Sequence, residues 1–187
     1  AMNSQWPFCL PFYDELCGHT SPRDIRCFSI RLSPLCSGPG MIPDSVPHGL
    51  SILYSALGKG TISDLSFGRG ENEIKVAFTY VSEHGDCQVS MSLVQERKQP
   101  RTFAFGFNDL VVRRIIDMAT YGIYFTFGEK KIRVPDPLEL SVRDFIDAYG
   151  SGREPVIGQE HIQVTGLLLE QIYGGYTSSR EGHPWKN

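Results

Sequence analysis

EIKVAFTYVSEHGDCQVSMSLVQ, residues 73–95, alternates apolar and polar positions, breaks once, and alternates again. Ile74, Val76, Phe78 and Tyr80 share one parity before the break, and Val89, Met91 and Leu93 share one after it. A period of two marks a strand that buries one face. His84-Gly85-Asp86 between the runs has the length and chemistry of a hairpin connection. The same period extends outward over Thr61 to Phe67, Arg101 to Phe107, Val111 to Ala119, Tyr121 to Phe127 and the short run Lys130 to Val134, with Gly, Asp or Asn at the joints. The reading is an antiparallel meander.

Before the meander, Asp24 to Ser33 alternates as a first strand, and Ser33 to Asp44 is a loop rich in Pro and Gly. A helix follows, with Pro47 in its first turn, an apolar stripe of Ile52, Leu53, Ala56 and Leu57, and Gly58 as its stop. After the meander, Asp136 caps a helix that has Pro137 at its first position and Glu139 completing a capping box. Leu138, Val142, Phe145, Ile146 and Tyr149 fall on one face of that helix. A last helix spans Gln159 to Tyr173, with Ile162, Thr165, Leu168, Leu169 and Ile172 inward and Gly174-Gly175 as its stop. This order predicts an α+β domain: an open, predominantly antiparallel sheet of six to eight strands with helices on one face. Residues 1–22 read as an irregular arm, with Ala1-Met2 fitting an expression scar. Residues 23–176 form the single domain and 177–187 a flexible tail.

Composition narrows the function classes. The chain has 187 residues, enough to bury a core without covalent staples, and its 41% hydrophobic and 21% charged content is that of a globular domain. A net charge of −3, with Arg97, Lys98 and Arg101 as the one basic cluster, argues against a nucleic-acid partner. The sequence has no apolar run of membrane-spanning length and no signal-like start, so a cytoplasmic location is expected. Five cysteines without a C-x-x-C pair suit reduced thiols, and the spacing of Cys17, His19, Cys27 and Cys36 does not suit zinc.

The segment that could carry chemistry is Gly40 to His48, where a glycine loop leads to Asp44 and His48, four apart, where the helix begins. A carboxylate near an imidazole can orient it for proton transfer near neutral pH. On spacing alone, a capping Asp44 and an internally satisfied His48 are the commoner arrangement.

Gly40 to Gly58 resembles the segment of Gfo/Idh/MocA-type NAD(P)-dependent oxidoreductases that reads Gly, Asp, three residues, His, then an apolar helix ending in Leu-Gly. Asp136 to Glu139, Asp144-Phe145-Ile146-Asp147-Ala148, Gly152, Pro155 and Leu169 to Tyr173 resemble the same family's closing helix pair. The resemblance covers residues 24–176 and implies the C-terminal domain, which supplies the substrate pocket and the oligomer surface. It implies proton transfer for His48, substrate positioning for Asp44, and a substrate-binding loop at Gly40. The complete enzyme would use NAD or NADP, but none is expected to bind this chain alone. Gly68-Arg69-Gly70 lacks the third glycine of a dinucleotide turn, Gly58-Lys59-Gly60 follows a helix instead of preceding one, and Glu129-Lys130-Lys131 lacks the family's proline.

The expected partners are a small-molecule substrate with a hydroxyl, carbonyl or imine group and an absent dinucleotide-binding domain. A homodimer or higher homo-oligomer is also expected, through the second sheet face, where Ala77, Thr79, Ser90, Ser92, Ala104 and Gly106 are small. The alternative is a non-catalytic ligand-binding or assembly module with the same fold. A cofactor-free enzyme using Asp44 and His48 ranks third, because no Ser or Cys nucleophile accompanies them.

Overall fold

The structure, a computed structural model, describes residues 5–181. Eight strands form one open sheet: β1 (Cys27–Leu32), β2 (Gly60–Gly70), β3 (Glu73–Ser82), β4 (Gly85–Val94), β5 (Phe103–Phe107), β6 (Leu110–Ile116), β7 (Ile123–Phe127) and β8 (Lys130–Val134). Their order across the sheet is β2-β3-β4-β1-β5-β6-β7-β8. The sheet is predominantly antiparallel, as expected, but it is not one meander. The first strand of the chain is inserted at the centre, parallel to β4 (Phe28 beside Val89) and antiparallel to β5 (Phe28 beside Phe107). Alternation cannot reveal this insertion, because it shows which residues are buried and not which strand lies beside which.

Four helices complete the domain: α1 (Leu10–Cys17), α2 (Met41–Leu57), α3 (Pro137–Ser151) and α4 (Gln159–Glu181). Helix α2 packs on β1 and β4, α4 on β2 and on α2, and α1 on β6 to β8. The strand parity facing these helices is buried: Val76, Phe78, Tyr80, Val89, Met91, Leu93 and Phe105 are each 3% exposed or less. Burial of such a side chain contributes about 1.5–3 kcal/mol, so this face dominates the stability.

Several segments depart from the sequence reading. The arm is not irregular: Trp6–Cys9 is a 3-10 turn that continues into α1, and Trp6, Cys9, Tyr13 and Leu16 are buried. Tyr13 fastens the arm to the sheet, its hydroxyl accepting from the Phe107 N–H (3.0 Å) and donating to the Leu110 carbonyl (2.9 Å). Helix α4 does not stop at Gly174-Gly175 but runs on to Glu181, so 177–181 is helical; the remainder of the expected tail lies outside the described residues. A Cβ on Gly175 would lie 2.9 Å from Leu65 Cδ2, so this glycine lets the helix approach β2. The inward face of α4 is also rotated from the one expected. His161, Val164, Thr165, Leu168, Ile172 and Tyr176 are buried, whereas Ile162 is exposed.

Helix α3 begins as read, with the Asp136 carboxylate accepting from the Leu138 N–H at 2.9 Å. Glu139 pairs with Arg143 one turn on and does not close the capping box. Its apolar stripe faces outward. Phe145, Ile146 and Tyr149 are 62%, 61% and 87% exposed. The second sheet face carries the small residues expected of it, but charges lie among them: Arg31, Glu73 and Lys75 form an ion-paired cluster beside Ser92, and Arg113 lies opposite Ala104.

Candidate functional site

Helix α2 begins earlier than its sequence suggests. Gly38-Pro39-Gly40 winds a 3-10 turn directly into Met41, which puts Pro47 inside the helix and Asp44 in its first turn. A proline here removes the N–H that would reach the Pro43 carbonyl, a loss α2 tolerates within its first two turns. Asp44 is therefore not the N-cap. Its carboxylate reaches back across the loop to accept from the Leu35 N–H (3.1 Å) and the Ser45 hydroxyl (3.3 Å).

Asp44 and His48 share one cleft of about 450 Å³, bounded also by Trp6, Arg101, Phe103 and Arg114. No hydrogen bond joins Asp44 to His48; their coupling is electrostatic. His48 is half-buried, with its ring set edge-on to Trp6 at 6.3 Å and 86°, and its Nδ1 is buried without a partner. Burial lowers the imidazole pKa and the Asp44 carboxylate acts in the opposite sense, so desolvation wins and the ring is neutral at physiological pH. Gly40 does not line the cleft. It packs against Cys36, whose Cβ would lie 3.3 Å from a Cβ added there.

The sequence reading missed the rest of the cleft. Trp6 stacks on Phe103 (centroids 3.7 Å apart, 17° between planes) to make an aromatic wall. The Arg114 guanidinium carbon stands 5.4 Å from the Trp6 ring centre and 5.6 Å from that of Phe103, within cation–π range. Arg114 donates to the Arg101 carbonyl at 2.7 Å, and burial lowers its pKa. Cys9 lies near Arg114, fully buried, and burial pushes its thiol up to about 12, so it is inert. A signal for Arg114 existed, since it shares the buried parity of β6 with Val112. Arg101 and Arg114 also border a hollow of about 550 Å³ on the open sheet face.

The residues present do not fit a dinucleotide. Among the described residues the one strand–glycine loop–helix passage is β1 into α2, and two of its donors are engaged: the Met41 N–H bonds to the Gly38 and Pro39 carbonyls, and the Leu35 N–H faces the Asp44 carboxylate, which would repel an anion there. Gly68 and Gly70 end a strand that hairpins straight into β3. Among the described residues no cluster of His, Cys, Asp and Glu could hold a metal, the five cysteines are free, and no helix is long and apolar enough to cross a membrane.

No family model matches the chain and no curated protein matches it. Solved structures do. A dehydrogenase (MviM) from Clostridium difficile superposes with a TM-score of 0.58 at 15% identity, covering 91% of this chain and 60% of that one. UDP-N-acetylglucosamine 3-dehydrogenase GnnA from Acidithiobacillus ferrooxidans gives 0.56 at 14% identity, covering 89% and 57%. An oxidoreductase from Thermotoga maritima gives 0.56 at 13% identity, covering 91% and 58%. The fold is that of Gfo/Idh/MocA-type dehydrogenases. At these identities the likeness carries the fold and not the activity. The chain spans about 60% of the length of the dehydrogenases it matches.

Proposed function

We propose that this chain is the substrate-binding and assembly half of an NAD(P)-dependent oxidoreductase acting on a small hydroxyl, carbonyl or imine substrate. The observation that carries the reading is His48: a neutral imidazole on a cleft wall with one ring nitrogen buried and unbonded, beside Asp44 and an aromatic wall. Buried polar atoms in native folds nearly always have partners, so the unpaired Nδ1 singles out this ring on the cleft wall. A neutral imidazole can take the proton of a substrate hydroxyl, or return it to a carbonyl as imidazolium, while Asp44 favours the charged form at that moment. NAD or NADP would belong to a separate dinucleotide-binding domain. The outward stripe of α3, with Phe145, Ile146 and Tyr149, is the surface such a domain would cover. The open sheet face is the proposed homodimer surface.

The test is NMR of the histidine-labelled chain titrated with hexoses, inositols and their acids. The His48 ring nitrogens are expected to shift with at least one of them, and a silent His48 across the panel overturns the reading. In an enzyme completed with a dinucleotide-binding domain, His48→Ala should lower kcat by about 10² to 10⁴. The same substitution should lower turnover far more than it lowers the stability of this chain, since Nδ1 makes no hydrogen bond that could be lost and only the packing of a half-buried ring against Trp6 goes. A second reading, a non-catalytic binding module, is favoured by the Asp44 carboxylate being engaged by Leu35 and Ser45 and not by His48.

A further inference from the structure

Three buried side-chain nitrogens among the described residues lack a hydrogen-bond partner: His48 Nδ1, Arg101 Nε and Arg114 Nε. All three residues line the same cleft. Two of the nitrogens belong to guanidinium groups, and among the described residues no carboxylate forms an ion pair with either arginine. Asp44, the acid in the cleft, is held by the 33–36 loop and Ser45. Two half-buried guanidinium groups without an ion-paired carboxylate therefore stand on one cleft, and such a pair favours negative charge between them. The Trp6–Phe103 stack keeps Arg114 in position through its ring faces, and the Arg101 carbonyl takes one of its N–H groups. The remaining donors stay unspent.

We infer that Arg101 and Arg114 bind an oxyanion, a carboxylate or phosphate group carried by the small molecule whose reacting carbon lies at His48. This deepens the oxidoreductase reading and rests on it for the role of His48. The arginine pair, however, defines the ligand class by itself: an acidic sugar or polyol, not a neutral one. Guanidinium groups match oxyanions through paired N–H donors.

The experiment uses three ligands that share one ring and differ at a single position: D-glucose, D-glucuronate and D-glucose 6-phosphate. Each is titrated calorimetrically into the purified chain at low salt, with inorganic phosphate as the bare anion. At least one acidic sugar should bind tenfold or more tightly than glucose, and which one does so distinguishes carboxylate from phosphate. Arg101→Gln should erase that preference, and Arg114→Gln should do the same provided its melting curve shows a folded protein. If glucose binds as tightly as both acids, the anion inference falls and the oxidoreductase reading survives. Acid binding that persists undiminished in Arg101→Gln refutes the assignment, as does binding of inorganic phosphate alone. If none of the four ligands binds, the anion inference falls, while the oxidoreductase reading is decided by the wider His48 titration.

Discussion

His161 on α4 should make this protein lose stability steeply in mild acid. Its ring is 3% exposed, is joined to the Ser51 hydroxyl at 2.7 Å through Nε2 and stacks obliquely on Tyr54 at 4.4 Å, so it is a buried imidazole at the α2–α4 junction. Desolvation lowers its pKa from 6.5 to about 4. A base with a depressed folded-state pKa contributes fully above its unfolded value, and the contribution is lost as pH falls from 6.5 towards 4. With these two values the loss between pH 8 and pH 5 comes to about 2 kcal/mol, and it grows further by pH 4. Urea unfolding at half-unit intervals from pH 8 to pH 4.5 measures it, with the m-value monitored for constancy. His161→Gln keeps a polar partner for Ser51 and does not titrate. The variant should be less stable than wild type at pH 8 and lose about 2 kcal/mol less on acidification. His48, also depressed, titrates in both proteins and cancels in the difference. Parallel stability profiles for wild type and variant would refute the reasoning.

Tyr13→Phe should cost about 1–3 kcal/mol in urea unfolding, because it strands the Phe107 N–H and the Leu110 carbonyl at once while leaving the ring in place. Gly106→Ala should destabilise by about 2 kcal/mol or more in thermal melts, since its Cβ would lie 2.2 Å from the Leu110 carbonyl oxygen and rigid backbone would have to move. Ser90→Arg should turn the proposed homodimer into a monomer by light scattering without lowering the melting temperature of the fold. Ser90 is the better position because it lies between Ala77 and Ser29, whereas Ala104 pairs across strands with Arg31 and Arg113, and Ser92 with Arg31 and Lys75, so a new charge at either would meet existing ones.

The meander strands, the Asp136 cap and the Asp44–His48 segment were legible because each is a local signal: period two, capping chemistry, a spacing of four. What stayed hidden depended on neighbours distant in sequence. Gly174-Gly175 reads as a helix stop unless Leu65 is known to lie against it. The arm concealed its helix because Trp6, Cys9, Tyr13 and Leu16 have helical spacing across a junction between a 3-10 turn and an α-helix, where the angular step changes. In the cleft, Arg101 looked like part of a surface basic cluster and Arg114 like one charge in a strand. Only the fold brings both to His48, and a contribution from the arm, Trp6, completes the wall between them. Gly40, chosen for its place in a motif, packs on Cys36 in the turn ahead of α2.

The central position of β1 has a kinetic consequence. On one side of it β2, β3 and β4 are joined by short turns, and on the other β5 to β8 are joined likewise, so each group can zip up through near-neighbour contacts. The two groups meet only through the strand made first, whose Phe28 must find Val89 on one side and Phe107 on the other. Such distant closures set the pace of folding. The chain should therefore assemble as two quick halves and one slow clasp. Substitutions on β1 should slow refolding, while those at the outer hairpins should mainly hasten unfolding.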